Sequence, residues 1–218
     1  MKDLIIKALL TTLSLIAIFV GVFYDDIYRI EYSEFSIELK PLGEVRPEHL
    51  TNIQTALAEK LSAKVRIGPP APLQPKWLTS DGVSYQIEDI NQFLEETRSP
   101  EVTHVIAITT RPIAARHWTL RSMLVAGAGK RFTQTTTISP HLFALSDLSS
   151  PEAHEVLSKL ALHEFGHMIG LKHCWRSRQC IMQDAHGDVG TLYHLEDSFC
   201  SACSEEISEV RVRSDQEM

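Results

Sequence analysis

Apolar and polar positions along this chain follow two periods, and the switches between them mark its elements. Residues 35–42 alternate, as a strand with one buried face does. Residues 47–62 space Leu50, Ile53, Leu57 and Leu61 three and four apart, the period of an amphipathic helix. A short strand is expected at 64–67. Residues 68–75 then hold four prolines in eight positions, which leaves only a stiff loop. Helical spacing returns over 83–96 at Ile87, Ile90, Phe93 and Leu94. Residues 102–109 are largely apolar and β-branched, the pattern of a buried central strand. Two more strands are expected at 122–126 and 133–139. A long helix follows from Ser150 and Pro151 to Ile169. This order of strands and helices predicts an α/β fold built on a mixed sheet.

The first stretch breaks both periods. Residues 4–23 are apolar except for Lys7, Ser14 and two threonines, and about 20 such residues span a bilayer as a helix. A cleaved signal peptide is the rival reading, since Lys2 and Lys7 resemble a charged leading region. The run closes as Val20-Gly21-Val22-Phe23-Tyr24-Asp25-Asp26, with no small-x-small cleavage site, so residues 1–24 are expected to stay as a single-pass N-terminal anchor. Lysines before the span put the N-terminus inside and the following domain on the extracytoplasmic side.

The rest of the chain suits one domain at 35–205 with its own core, followed by a polar tail at 206–218. A net charge of −7 excludes the basic stripe that nucleic acid requires. Gly127-Ala128-Gly129-Lys130 is not a phosphate loop, because Leu124 stands where the first glycine would be needed. The Pro72/Pro75 pair reads as loop rather than as a partner ligand. His49, His104, His117, His141, His154, His186 and His194 lack ligand spacing, and each reads as a surface or hydrogen-bonded residue.

Residues 163–173 are different: His-Glu-Phe-Gly-His-Met-Ile-Gly-Leu-Lys-His. His163 and His167 lie four apart and share a helix face, so both imidazoles can grip one metal ion. Glu164 points about 100° away from His163, off the metal and within reach of a water. Gly170 can end the helix and turn the chain so that His173 supplies a third nitrogen. Three nitrogens leave one zinc position open, the arrangement of a catalytic site. The only cysteines are Cys174, Cys180, Cys200 and Cys203, in two close pairs. They have the look of a four-thiolate zinc site. In an oxidising compartment the same four could close two disulfides.

Together these residues resemble the archaemetzincins, whose pattern runs HExxHxxG, three residues, Cys, four residues, Cys-x-Met, seventeen residues, Cys-x-x-Cys. The matching positions are His163 to Gly170, Cys174, Cys180-Ile181-Met182 and Cys200-Ser201-Ala202-Cys203. Five residues rather than four separate Cys174 from Cys180, which puts one extra residue in 175–179. The resemblance runs from about residue 36 past residue 199 and is strongest after 160. It implies a compact metzincin-like domain with an active-site helix and a zinc-bound C-terminal subdomain. It also implies two zinc ions: a catalytic one on His163, His167 and His173, and a structural one on Cys174, Cys180, Cys200 and Cys203. Met182 would be the Met-turn residue, an apolar floor beneath the catalytic zinc. By analogy, residues 122–127 would be the edge strand that pairs with extended substrate.

The expected protein is therefore a monomeric, membrane-anchored zinc metallopeptidase acting on peptides or proteins, with Glu164 as general base. A membrane-anchored binding module, stabilised by zinc and catalytically inactive, is the alternative. The intact Glu164 weighs against it, because a purely structural site has no need of a base there.

Overall fold

The computed structural model describes residues 34–116, 122–143, 151–184 and 189–212. Its centre is a parallel sheet in the order β2-β1-β4-β7. These strands are β1 Ser36–Pro41, β2 Lys64–Ile67, β4 His104–Ile108 and β7 Thr135–Ile138. Side chains alternate across a strand, so β4 feeds two cores at once. Ile106 and Ile108 enter one apolar cluster, and Val105 and Ala107 enter the other. This is why β4 is buried at every position and reads as a continuous apolar run rather than an alternation.

Helix α1 (Pro47–Leu61) buries Leu50, Ile53, Leu57 and Leu61. It packs on α3 (Pro151–Met168) over one face of the sheet. Helix α2 (Ile87–Thr97) covers the other face with Ile90 and Leu94, beside Trp77. A final helix, α4 (Ser201–Val212), turns Cys203, Ile207 and Val210 into the first core. The boundary expected at residue 205 falls inside this helix, so residues 206–212 are helical rather than tail.

The central sheet is wholly parallel; the mixed pairing expected from the sequence lies in a second, three-stranded sheet in the order β3-β5-β6. β5 (Ile113–Arg116) pairs parallel with the two-residue β3 (Tyr85–Gln86) and antiparallel with β6 (Ser122–Val125). A bridge between Gly127 and Ile138, with Ser139 N–H donating to Ala126 O, ties the end of β6 to β7. Neither β3 nor β5 was expected from the sequence. α2 also starts four residues later than expected. Asp81 explains this: its carboxylate accepts from the Val83 and Ser84 amides and from both the Thr79 and Ser84 hydroxyls, fixing a turn where helix was expected. Those bonds also hold the Asp81 carboxyl well below its usual range.

The expected anchor at 1–24 lies outside the described residues. Among the described residues no helix is long and apolar enough to cross a membrane.

Two candidate metal centres

Helix α3 is buried along almost its whole length, and its C-terminal end carries the first centre. The helix stops through a paired turn. Gly170 N–H donates to His167 O and Leu171 N–H to Gly166 O, both at 2.9 Å, with Gly170 at φ +102°. Only a residue without a side chain fits, because a Cβ on Gly170 would run into the Phe132 ring. Arg131 Nε donates to Gly170 O at 2.9 Å and fastens the turn from the other side. The reversal returns His173 to the two helical histidines.

The three imidazoles converge. His167 Nε2 lies 3.1 Å from both His163 Nε2 and His173 Nε2. Each Nδ1 is engaged elsewhere. His163 Nδ1–H donates to Ile181 O at 2.7 Å, and His167 Nδ1–H to Leu171 O at 3.0 Å. His173 Nδ1 faces Asp184 Oδ2 at 3.3 Å. With the proton fixed on Nδ1, all three Nε2 lone pairs face one point. Burial holds His163 and His167 below the ordinary imidazole value, so both stay neutral, as metal binding requires. Zinc fits this donor set: nitrogens about 2.0–2.1 Å from a tetrahedral ion lie about 3.3 Å apart.

Glu164 is buried beside these nitrogens and accepts a hydrogen bond at Oε2 from Gly129 N–H. Burial pushes its carboxyl above the ordinary carboxylate value, partly offset by that bond and by His167 and His173. Met182 is fully buried against the same helix. A Cβ on Gly166, between the two helical histidines, would strike its sulfur. The next residue back, Ile181, supplies the carbonyl that orients His163.

The second centre gathers all four cysteines, whose sulfurs lie within 4.8 Å of one another. Cys174 Sγ is 3.7 Å from Cys200 Sγ, and Cys180 Sγ is 3.7 Å from Cys203 Sγ. A disulfide needs about 2.05 Å, whereas thiolates about 2.3 Å from one tetrahedral zinc lie about 3.8 Å apart. The cysteines are free, and their spacing fits the ion. Burial pushes the Cys180 and Cys203 thiols up. Burial also opposes ionisation of Cys200, yet the Cys203 backbone N–H and the neighbouring thiols outweigh it and bring Cys200 down to about 7. Ionising all four cysteines together would therefore need a cation among them to offset burial and mutual repulsion.

The two centres are joined by backbone, since Cys174 N–H donates to Met182 O at 2.7 Å. The histidine motif and the cysteine spacing were legible in the sequence. Asp184, Gly127 and Gly129 were not, because nothing local distinguishes them. His104 sits wholly buried among Phe35 and Phe165, with Nδ1 at 2.9 Å from Thr103 Oγ1.

Known proteins resemble this chain in sequence family and in fold. The sequence profile of peptidase family M54 matches residues 73–209. No match was found among curated proteins. The fold is similar to the crystal structure of archaemetzincin from Methanopyrus kandleri, at TM-score 0.68 and 20% identity, over 82% of this chain and 96% of that one. It is also similar to archaemetzincin from Archaeoglobus fulgidus complexed with malonate, at TM-score 0.65 and 23% identity, over 79% and 99%. A zinc-dependent peptidase from Methanocorpusculum labreanum matches at TM-score 0.62 and 17% identity, over 79% and 100%.

Proposed function

Because the chain belongs to peptidase family M54, the archaemetzincins, and is a zinc metallopeptidase, we propose that His163, His167 and His173 hold its catalytic zinc and Glu164 is its general base. The observation that carries this reading is the convergence of three Nε2 atoms beside one buried carboxylate. Zinc bound there supplies Lewis acidity toward a water and toward the scissile carbonyl. The other work falls to side chains. Glu164 takes a proton from the attacking water and returns it to the leaving amine. With Oε2 engaged by Gly129, Oε1 is the atom that carries that proton. Met182 closes the floor beneath the histidines and keeps water out from below. An extended substrate pairs with the exposed β6, whose Met123 and Leu124 face solvent.

The four cysteines hold a second, structural zinc, a reading supported by their 3.7 Å separations and by the lack of any disulfide among them. The protein works as a monomer, anchored through residues 1–24 with its domain on the extracytoplasmic side. Support for the anchor is the apolar run of residues 4–23. Recovery of the intact chain in the membrane fraction after a carbonate wash is expected, and a soluble chain beginning near Tyr24 would contradict it.

The test of the whole reading is metal analysis paired with cleavage of a quenched fluorescent peptide library. Two zinc ions per parent chain are expected, and one in His173→Ala, whose hydrolysis should fall to background. A single zinc in the parent, or hydrolysis by His173→Ala at the parent rate, would overturn it.

A further inference from the structure

We infer that Gly127 and Gly129 form a backbone cradle that positions Glu164, an inference that rests on the reading of Glu164 as the base. Neither glycine is needed for backbone freedom. Among the described residues the glycines with positive φ are Gly43, Gly82 and Gly170. What both positions share is closeness to Glu164. A Cβ on Gly127 would lie 2.6 Å from Glu164 Oε1 and 2.8 Å from Cδ. A Cβ on Gly129 would lie 2.6 Å from the Glu164 carbonyl oxygen and 2.9 Å from Oε2. Contacts under 3.0 Å are ones that real Cβ atoms essentially never make. The absence of side chains lets the segment close on the carboxylate from one side, and the Gly129 N–H then fixes Oε2.

The segment cannot easily back away. Gly127 bridges to Ile138, and Ser139 N–H donates to Ala126 O at 2.7 Å, so the cradle is fastened to the central sheet through β7. On the other side, the Glu164 backbone is fixed in α3 between two candidate zinc ligands. The carboxylate is the movable part between two fixed ones. A methyl added at Gly127 meets the far end of the Glu164 side chain, and displaces it rather than breaking the fold. One N–H held against one oxygen confines the carboxylate to a single orientation, with Oε1 left for the proton. Gly127 and Gly129 are thus positioning residues, acting through Glu164.

The test uses the full-length, zinc-loaded chain and a quenched fluorescent peptide library. Gly127→Ala is expected to lower kcat by at least about tenfold, toward the 10²–10⁴ typical of a lost base, with zinc content and KM nearly unchanged. In a Glu164→Gln background the same change should cost nothing further, because both act through one carboxylate. A second readout needs no glycine variant: the Gly129 amide proton should resonate downfield in the parent and move upfield in Glu164→Gln. Parent kcat in Gly127→Ala while Glu164→Gln is inactive would overturn the cradle and leave the base standing, as would a Gly129 amide shift that ignores Glu164→Gln. Parent activity in Glu164→Gln would remove the base and the cradle together.

Discussion

Gly170→Ala should damage the catalytic centre from a position that touches no zinc ligand through its side chain. Two costs add. Alanine must adopt φ +102°, and left-handed backbone costs a side-chain-bearing residue about 1–2 kcal/mol. Its methyl also enters space held by the Phe132 ring, and overpacking of that kind costs about 1–3 kcal/mol. Together they remove about 2–5 kcal/mol, a large share of the roughly 5–15 kcal/mol that holds a domain together. The damage falls on the turn that carries the chain from His167 to His173, so zinc should be lost to a chelator faster as well. Urea unfolding of the zinc-loaded protein gives the first quantity and colorimetric zinc release the second. Phe132→Ala separates the two costs: in that background Gly170→Ala should lose only the backbone component, about 1–2 kcal/mol. A change below about 0.5 kcal/mol, the range of ordinary surface substitutions, with unchanged zinc release would refute the reasoning.

Three further outcomes are expected. Asp184→Asn should raise the zinc dissociation constant about 10–100-fold, because it weakens the partner of His173 Nδ1; a chelator competition unchanged from the parent would contradict this. Cys200→Ser should lose the second zinc and also loosen the first, since Cys174 N–H is bonded to Met182 O; the parent should show four thiols after denaturation in chelator, and a mass lower by four hydrogens would instead mean disulfides. Burial, aided by Arg98, lowers His104 from 6.5 to about 3, so the unfolded chain takes up a proton that the fold refuses, and stability drops by about 1.4 kcal/mol per pH unit below 6.5. His104→Gln removes that proton uptake, so its stability deficit should shrink from pH 6.5 to 4.5; a constant deficit would contradict the assignment.

How far the sequence could be read depended on how local each signal was. The pairing of His163 with His167 was legible because helix geometry fixes i, i+4 neighbours, and Gly170 was legible because a turn there needs a residue without a side chain. β4 was legible from its apolar run, and α3 from the Ser150-Pro151 start signal. β5 was not, since Ile113–Arg116 is four residues long and pairs on one side with β3, a two-residue strand that no pattern marks, and only on the other with the expected β6. α4 was hidden by its polar face, and Cys203, Ile207 and Val210 form a stripe only when the cysteine counts as apolar. Gly129 lies 35 residues from Glu164, and no spacing rule reaches that far. Asp81 shows the opposite failure: apolar spacing over 83–96 suggested one helix, while four short hydrogen bonds to a single carboxylate held its start as a turn.

The central claim, that Glu164 moves the proton at a zinc held by His163, His167 and His173, is tested most directly by hydrolysis in Glu164→Gln. The measurement is the cleavage rate of the zinc-loaded variant against the parent on the same peptide, with zinc per chain counted in both. A rate lower by about 10²–10⁴ at unchanged zinc content is expected. Cleavage at the parent rate with zinc in place would contradict it.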